Sequence, residues 1–349
     1  MPTTIRIASS KIVLNLMSLF ESIMKKISLL VHEDVYSSSV ASVIDLFAGA
    51  NWYLEQSGRS PAFNLELVSE NSDNIRLDVP ANFICYSTIE KVIQTDLIIV
   101  PGFTGVSKDI LGKYIAAINW IKQMNRSGTE IASMCVGSFF LAEAGLLNGK
   151  TATSHWAATD EMQLRYPLVK VKSDRVITDE DGIYTGGGAF AALKLILYLI
   201  EKFCGREIVL GVSKRFSIDM APTSQAHFAV FSGQRQHNDH EILKSQTYIE
   251  QNYSSAISID QVSALTNTGK RNFIRRFKAA TNNTPIEYLQ RVRIEAAKKA
   301  LEDVNLPLNE IVNIIGYEDI KTFRMVFKKL TGLSPREYRK KYARNVNVL

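Results

Sequence analysis

Residues 273–288 read FIRRFKAATNNTPIEY, and residues 323–338, fifty positions later, read FRMVFKKLTGLSPREY. Seven positions are identical in the two stretches. They are Phe273, Phe277, Lys278, Thr281, Pro285, Glu287 and Tyr288, which recur as Phe323, Phe327, Lys328, Thr331, Pro335, Glu337 and Tyr338. Agreement at one fixed offset over this many positions marks an internal repeat. The C-terminal region is therefore predicted to contain two copies of one structural unit.

Each copy is predicted to fold as a short helix, a turn and a second helix. The apolar spacing places these helices at residues 258–265 and 270–280 in the first copy, and at residues 308–315 and 319–330 in the second. A short helix followed by a turn and a longer helix is typical of a helix-turn-helix unit, whose second helix enters the major groove of DNA.

The helix starts of this region carry capping signatures. The segments SIDQ at 258–261, TPIE at 284–287 and SPRE at 334–337 each place Ser or Thr three residues before Gln or Glu, and the last two have proline at the first helical position. A helix over residues 285–302, with one apolar stripe, is predicted to connect the copies and to hold them at a fixed separation.

A recognition helix must bury one face on its own domain and present the other face to DNA. In the first copy Phe273 and Phe277 are predicted to pack inward, and in the second copy Phe323 and Phe327. The polar residues left on the opposite faces are the candidates for DNA contact. They are Lys270, Arg271, Asn272, Arg275, Arg276 and Lys278 in the first copy, and Asp319, Lys321, Thr322, Arg324, Lys328 and Lys329 in the second.

Base reading is expected from the first turn and a half of each helix, because arginine can bond guanine bidentately and asparagine can bond adenine in the same way. Lys278 and Lys328, near the helix ends, are expected to contact phosphates, which orient the protein without specifying sequence. The alternative for any one of these residues is a solvated surface charge.

The charge distribution agrees with a polyanionic partner. The chain has 349 residues and a net charge of +6. Residues 237–349 hold 19 Lys and Arg against 12 Asp and Glu, a net +7, whereas residues 1–236 hold 22 against 23, a net −1. Because the basic excess lies at one end, double-stranded DNA is the expected partner of that end, and a solvated helical face is the alternative.

Residues 237–343 resemble the AraC/XylS family of bacterial transcription activators. The resemblance rests on FIRRFKAATNNTPIEYLQRVRIEAAKKAL and IVNIIGYEDIKTFRMVFKKLTGLSPREYRKKY. It implies that two helix-turn-helix units on one chain bind successive major grooves on one face of DNA, about 34 Å apart. The first copy departs from the family pattern at Gly269, where serine is usual, and at Asn282, where glycine is usual.

The N-terminal part has a different pattern. Short β-branched runs at residues 27–31, 63–68, 97–100 and 130–134 alternate with helical periods at 38–55, 110–127 and 189–203. This alternation predicts an α/β domain with a doubly wound, mainly parallel, flavodoxin-like sheet. The predicted organisation is an extension at 1–23, a sensory domain at 24–221, a linker at 222–239 and an all-α domain with two helix-turn-helix motifs at 240–345.

Two features fall where the strands of such a sheet end, which is where ligands bind. The strand that ends at Met134 runs into Cys135 and then directly into a helix, so the thiol is expected at a sharp turn with a lowered pKa. The second feature is the glycine-rich segment PGFTG at 101–105, which could offer backbone N–H groups to an anion or a carbonyl.

Residues 25–230 resemble the PfpI-like branch of the class I glutamine amidotransferase superfamily, in particular the GlxA-type regulators that fuse this domain to an AraC-type tail. The segments that carry the resemblance are VIDLFAGAN, LIIVPGF, SMCVGSFFLAEAGLLNGKTATSHW and TGGGAFAALKLILYLIEKFCG. The resemblance implies that Cys135 is the elbow residue of that branch and that His155 and Trp156 form its histidine-tryptophan pair.

Catalysis by this elbow is not the favoured interpretation. Enzymatic relatives place an acidic residue from the first helix beside the cysteine, and the matching segment here is Ser-Ser-Ser-Val at 37–40. His155 is followed by Trp156 and alanines, without an acid two residues on. A Cys135/His155 dyad in a hydrolase or hydratase remains the alternative. A purely structural cysteine and histidine are the third possibility.

The favoured interpretation is a pocket for an unknown small-molecule effector. Its predicted members are Phe103, Thr104, Cys135, Val136, His155 and Trp156. No cofactor and no metal are predicted, since the five histidines are scattered and no acidic cluster accompanies them. The chain is therefore interpreted as a one-component regulator of transcription.

The expected setting follows from the same observations. Three well-separated cysteines form neither a disulfide framework nor a metal cluster, which favours a reducing bacterial cytoplasm. No apolar run reaches 18 residues, so no membrane association is expected. A homodimer is expected, with RNA polymerase as a further partner if the protein activates transcription.

Overall fold

The structure is a computed structural model that describes residues 24–71, 74–77, 79–220, 224–235, 237–266, 268–303 and 306–343. The chain divides into two units, Met1–Gln225 and Ala226–Leu349. The extension predicted at residues 1–23 lies outside the described residues.

The strands of the described residues belong to the first unit. In chain order they are β1 (Lys25–Leu30), β2 (Phe63–Ser69), β3 (Asn74–Arg76), β4 (Asn82–Ile84), β5 (Ser87–Thr88), β6 (Leu97–Val100), β7 (Glu130–Ser133), β8 (Thr151–Ala152), β9 (Lys170–Val171), β10 (Ile177–Glu180) and β11 (Ile183–Gly186).

Seven of these strands form one sheet in the order β10-β11-β7-β6-β1-β2-β5. All pairs in it are parallel except β10 with β11. The mainly parallel α/β fold is therefore as predicted. The β10–β11 hairpin was not predicted. Its polar residues resemble a loop sequence, and the pairing of β11 with β7 joins segments that are distant in the chain.

The first unit also contains seven α-helices among the described residues. They are α1 (Ser37–Gln56), α2 (Lys108–Lys113), α3 (Ile115–Arg126), α4 (Ser138–Glu143), α5 (Thr159–Arg165), α6 (Leu193–Cys204) and α7 (Arg206–Arg215). The helix predicted over 110–127 is broken at Tyr114, which has φ −108° and ψ 28° and whose hydroxyl donates to Asp34 Oδ2 at 2.7 Å. This contact joins residues 80 positions apart, so local periodicity could not indicate it.

Apolar layers cover both faces of the sheet, which explains why its central strands are almost continuously hydrophobic. Leu29 and Ile99 point to the side that packs against α1, α6 and α7. Leu30 and Ile98 point to the opposite side, which packs against α3 and α4. The carboxyl ends of β1, β6 and β7 are thereby held at one edge of a rigid layer.

The regular secondary structure of the second unit is α-helical in the part of the chain that the structure describes. Its helices are α8 (His240–Asn252), α9 (Ile259–Ala264), α10 (Lys270–Thr281), α11 (Pro285–Leu301), α12 (Leu308–Ile314), α13 (Ile320–Thr331) and α14 (Pro335–Tyr342). All three predicted capping boxes are present, at the starts of α9, α11 and α14. Helix α8 is an addition to the predicted repeat.

Two apolar clusters correspond to the two copies. The first holds Phe273 and Phe277 together with Tyr288 of α11. The second holds Phe323 and Phe327 together with Ile294 and other residues of α11. Because one helix contributes to both clusters, α11 joins the two copies as the sequence predicts.

Two described side chains within the predicted linker at 222–239 pack into the units on either side of it. Gln225 is 1 % exposed, and its side chain accepts from Gly188 N at 3.1 Å and donates to Ser154 O at 2.9 Å, so it belongs to the first unit. Phe231 packs edge-on against Tyr288, with ring centroids 5.0 Å apart, so it belongs to the second. The polar composition of this segment is explained by side-chain hydrogen bonding into the two units.

Within the described ranges, no helix has the length and apolar content needed to cross a bilayer.

Candidate nucleic-acid interface and effector pocket

The second recognition helix, α13, has two clearly different faces. Phe323, Val326 and Phe327 are buried on one side. Lys321, Arg324 and Lys328 are exposed, as a surface for DNA requires. Since side chains three and four residues apart share a face of a helix, this pattern fixes which side α13 turns away from its own core.

Asp319 caps α13. Its carboxylate accepts from Lys321 N at 3.1 Å, Thr322 N at 2.7 Å and the Thr322 hydroxyl at 2.7 Å. These hydrogen bonds, first that from the Thr322 hydroxyl, lower the pKa of Asp319. The structure therefore gives Asp319 a capping role, in which the Thr322 hydroxyl takes part, and the DNA contacts of both residues stay predictions.

The first recognition helix, α10, presents Lys270, Arg271, Asn272, Arg275 and Lys278 as exposed residues. Two of them have partners close by. Lys270 Nζ lies 2.9 Å from Asp260 Oδ2, and Arg275 Nη2 donates to Asn272 Oδ1 at 2.8 Å. Both interactions are at the surface, where ion pairs and hydrogen bonds exchange readily with other partners.

Arg276 of α10 has a carboxylate partner within its own unit. Its guanidinium forms a bidentate pair with Asp239, with Nη2 to Oδ1 at 2.7 Å and Nε to Oδ2 at 3.0 Å. The hydrogen bond from Arg276 is the main reason that the pKa of Asp239 is lowered. Asp239 also caps α8 by accepting from Ile242 N. Arg276 therefore ties α10 to α8, a role that the sequence did not indicate because its partner lies 37 residues away.

The two recognition helices also differ at their ends. Asp319 caps α13, whereas the equivalent Gly269 caps α10 without a side chain. Both helices end at a residue in the left-handed conformation, Asn282 with φ 56° and Gly332 with φ 74°. The two departures from the family pattern noted in the sequence thus lie at the two ends of one helix.

Gly332→Ala is expected to lower the free energy of unfolding of the second unit by about 1 kcal/mol, because a Cβ is unfavourable at φ 74°. Denaturant unfolding of the variant measures this loss. Asn282→Ala is the matched control and should lose less, since Asn282 already carries a Cβ in the same conformation. Equal losses would show that the Cβ is not the cause.

The elbow of the first unit lies where β7 ends. Cys135 has φ 56°, an unfavourable value for a residue with a side chain, and it is held there by hydrogen bonds. Its N donates to Gly187 O at 3.0 Å, and its O accepts from Ser154 Oγ at 3.1 Å. At Gly137 an added Cβ would lie 2.6 Å from Val100 O. Only glycine therefore allows the turn to approach β6 this closely.

A pocket of 140 Å³ opens beside this elbow. Three serine hydroxyls, a thiol and two aromatic side chains contribute to its wall. The lining residues are Tyr36, Ser38, Ser39, Ser42, Gly102, Met134, Cys135, Ala189, Phe190 and Leu193. Among these described lining residues none carries a carboxylate or a cation. The pocket is therefore small and uncharged, and rich in hydroxyl groups.

The thiol in this pocket is not activated as the sequence predicts. Burial raises the pKa of Cys135, and hydrogen bonds from the backbone N–H groups of Ala189 and Val136 only partly offset it. The expected lowering of this pKa by the helix start is wrong, because desolvation of a buried thiolate outweighs the favourable dipole. Cys135 therefore favours its neutral thiol form.

His155 is engaged away from the thiol. Its Nδ1 accepts from Ala157 N at 3.1 Å, its ring packs against Trp156, and burial lowers its pKa. An added Cβ at Gly188 would lie 2.3 Å from His155 Cδ2, so the ring rests on that glycine. Among the described residues no hydrogen bond joins the imidazole to the Cys135 thiol, and the predicted dyad is not formed.

Of the six predicted effector residues, Cys135 is the one that lines this pocket. Phe103 is 1 % exposed and packs against Phe140, and Thr104 is exposed and donates its N–H to Asp34 O. Val136, His155 and Trp156 are not among the lining residues. The sequence reasoning missed Tyr36, Ser38, Ser39, Ser42, Ala189 and Phe190. The run of serines at 37–39 was a usable signal, since it lies where α1 meets the edge of the sheet.

The fold and these two sites define a class of protein. The class is an α/β domain with a cysteine elbow, followed by two helix-turn-helix units on the same chain. The comparison with known families agrees with each part. Residues 25–202 match the DJ-1/PfpI family, and residues 262–341 match a helix-turn-helix domain.

The chain belongs to the DJ-1/PfpI family, and its second unit gives it the domain composition predicted for GlxA-type transcription regulators. It is 25 % identical over 248 residues to the HTH-type transcriptional regulator GbdR of Pseudomonas aeruginosa, a match that covers 70 % of this chain and 66 % of GbdR. It is 24 % identical over 226 residues to the HTH-type transcriptional regulator GlxA of Rhizobium meliloti, covering 63 % and 68 %.

A relative with an enzyme name is also similar. The isonitrile hydratase of Pseudomonas putida is 33 % identical over 136 residues, which covers 39 % of this chain and 58 % of that enzyme. The match to GbdR spans just under two thirds of that regulator.

Proposed function

We propose that the protein is a sequence-specific DNA-binding regulator in which α10 and α13 enter successive major grooves. The observation that carries this proposal is that α11 contributes to the apolar clusters of both copies. Each recognition helix buries its phenylalanines on its own cluster and turns its basic residues outward. Two such helices on one connecting helix suit two grooves on one DNA face.

Selection of bound sequences from a random duplex pool, with the full chain, tests this proposal. We expect one enriched sequence with two segments separated by about one helical turn of DNA, roughly 10 base pairs. Its affinity should fall less steeply with salt than that of random DNA. Recovery of no enriched sequence, with equal affinity for every duplex, would overturn sequence-specific binding.

For the first unit we propose that the pocket beside Cys135 binds a small effector. The neutral thiol, the three serine hydroxyls and the lack of a charged group among the described lining residues support recognition of a small molecule by hydrogen bonding. Such an effector controls DNA binding only through different affinities for two states of the protein.

Ser38→Phe is expected to abolish the effector response while leaving DNA binding intact, because the added ring fills a pocket of 140 Å³. The measurement is expression from a reporter operon in cells, together with DNA affinity of the purified chain. Ser37→Phe is the matched control, since Ser37 starts α1 but does not line the pocket. An unchanged response in Ser38→Phe would remove this pocket from effector binding.

The second candidate function is a cysteine-dependent hydratase or hydrolase with a secondary DNA-binding tail. The elbow geometry of Cys135 and the similarity to isonitrile hydratase favour it. Cys135→Ala separates the two functions, because it removes the nucleophile without filling the pocket. An unchanged operon response with full DNA binding supports the regulator, and turnover of an isonitrile by the wild-type chain that Cys135→Ala loses supports the enzyme.

We also propose an oligomeric state, a further partner and a cellular setting for the protein. A homodimer would present two pairs of recognition helices, and contact with RNA polymerase applies if the protein activates transcription. The setting would be the bacterial cytoplasm, with the protein on the nucleoid when bound to DNA. The sensory domain would comprise residues 24–225, since Gln225 is anchored within the first unit.

A further inference from the structure

Met325 is an unusual residue on the exposed face of α13. It is 66 % exposed, although methionine is an apolar side chain. It follows Phe323 by two positions and precedes Phe327 by two, and both phenylalanines are fully buried. Since successive residues turn by about 100° around a helix axis, Met325 lies opposite the buried face. It shares the outward face of α13 with Lys321 and Lys328.

The residues around Met325 are basic. Lys321 and Lys328 lie four residues before and three residues after it, and Arg324 is its neighbour, and all three are exposed. Cations around an exposed apolar residue favour contact with a polyanion, and Lys328, near the helix end, suits a phosphate. Met325 therefore occupies the centre of a surface whose surroundings suit a polyanion.

The repeat assigns an equivalent to Met325 in the first copy. Fifty positions earlier stands Arg275, at the same distance from Phe273 and Phe277. Arg275 is exposed, and its Nη2 donates to Asn272 Oδ1 at 2.8 Å. The same outward position thus carries a guanidinium in α10 and an apolar thioether in α13.

The two side chains suit different features of base pairs. In the major groove, guanine offers two acceptors that arginine can bond bidentately, whereas the C5-methyl group of thymine is the apolar feature. Methionine has neither a strong donor nor a charge, so it gains from contact with that methyl group and gains nothing comparable from a guanine edge. Its flexible side chain can adapt to the methyl position.

We propose that Met325 reads a thymine methyl group in the half-site bound by α13, while Arg275 reads guanine in the half-site bound by α10. This inference rests on the proposed function, that of a DNA-binding regulator. The proposal implies an operator with two unlike halves, one recognised through a guanine and the other through a thymine. The outward residues at this register, Arg275 and Met325, then give the two halves different base preferences.

Uracil substitution tests the proposal, because uracil is thymine without the methyl group. In the selected duplex each thymine of the α13 half-site is replaced in turn by uracil, and the affinity of the full chain is measured. We expect one position at which the wild-type chain loses about threefold to fourfold, the value of one buried methyl group. Met325→Ala should show no loss at that position.

The controls are variants at Met325 and at Arg275, the exposed residue that is equivalent to it in the first copy. Arg275→Ala should still lose affinity on uracil substitution in the α13 half-site. Its affinity for the selected duplex should be about tenfold below that of the wild-type chain, because one guanine contact in the other half-site is missing. Met325→Leu should keep part of the loss on uracil substitution, because it retains an apolar side chain. Binding of Met325→Ala to random DNA should match that of the wild-type chain, which shows that the variant is folded.

The outcomes that overturn the inference differ from those that overturn the proposed function. An equal loss on uracil substitution in the wild-type chain and in Met325→Ala, or no loss at any thymine, removes Met325 from base reading while DNA binding stands. Failure to select any sequence overturns the proposed function, and the inference with it.

Discussion

Arg324→Ala is expected to weaken binding to the selected DNA sequence by about tenfold to a hundredfold, equivalent to the 1 to 3 kcal/mol of one specific base contact. Arg324 is exposed on α13, in the first turn and a half of a helix whose opposite face is packed by Phe323 and Phe327. Loss of a base contact should leave binding to random DNA nearly unchanged, because phosphates supply most of that affinity.

Lys328→Ala is the matched control for this prediction. Lys328 is exposed near the end of the same helix, where a cation suits a phosphate. Its loss should weaken binding to the selected sequence and to random DNA by a similar factor, and should reduce the slope of log affinity against log salt by about 1. Titration of both variants against both duplexes at several salt concentrations provides the measurement.

The contrast between Arg324→Ala and Lys328→Ala decides whether Arg324 contacts a base. A loss from Arg324→Ala that is equal on the two duplexes would remove Arg324 from base reading and class it with Lys328. Arg276→Ala gives a further comparison, since Arg276 pairs with Asp239. It should reduce the stability of the second unit and leave the preferred sequence unchanged.

The second large effect concerns acid stability. His32 is 4 % exposed, and neither ring nitrogen has a hydrogen-bond partner among the residues that the structure describes. The imidazole lies among aromatic rings, with centroids 4.1 Å from Tyr114, 5.4 Å from Phe103 and 5.5 Å from Phe140. Burial lowers the pKa of His32 to about 4, and the nearby charge of Asp34 offsets this only in part. The native state therefore keeps this histidine neutral.

The free energy of unfolding is expected to fall as pH falls from about 6.5 toward 4, by about 3 kcal/mol in that interval. The unfolded chain binds a proton at His32 near pH 6.5, whereas the folded chain does so near pH 4. Between these values the unfolded state binds more protons, so acid favours it. Above about pH 6.5 the histidine is neutral in both states and contributes no pH dependence.

Denaturant unfolding of the first unit at a series of pH values measures this effect. His32→Leu should flatten the part of the pH dependence between 6.5 and 4, because it removes the ionisable group from an apolar site. His240→Leu is the control, since His240 lies in α8 of the second unit and not in the unit whose unfolding is followed. A His32→Leu curve that parallels the wild-type curve would contradict the assignment to His32.

Much of the fold was predictable because its signals are local. The capping boxes at Ser258, Thr284 and Ser334 lie within four residues of the groups they cap. The continuous apolar run of β6 predicts a strand covered on both faces, and both apolar layers are present. The elbow at Cys135 was placed correctly for the same reason, since a strand and a helix meet there without a loop.

The site residues were less predictable, because each depends on partners that are distant in the chain. Asp239 engages Arg276, and nothing near either residue in the sequence indicates the pair. The pocket beside Cys135 draws its wall from α1 and from the turn at Ala189, so its serines could not be assigned from the elbow segment alone. The pKa of Cys135 rises because of burial, which a local helix-dipole argument leaves out.

The sequence by itself determined the duplication, the two helix-turn-helix units and the α/β class of the first unit, because periodicity, capping and repetition are written along neighbouring residues. Only the tertiary structure decided which charges of the repeat remain outward. It places Arg276 in an ion pair and Asp319 in a cap, and it leaves Met325 exposed at the same register as Arg275. Burial and pairing are properties of the packed chain, and they make two similar sequence copies into two different reading surfaces.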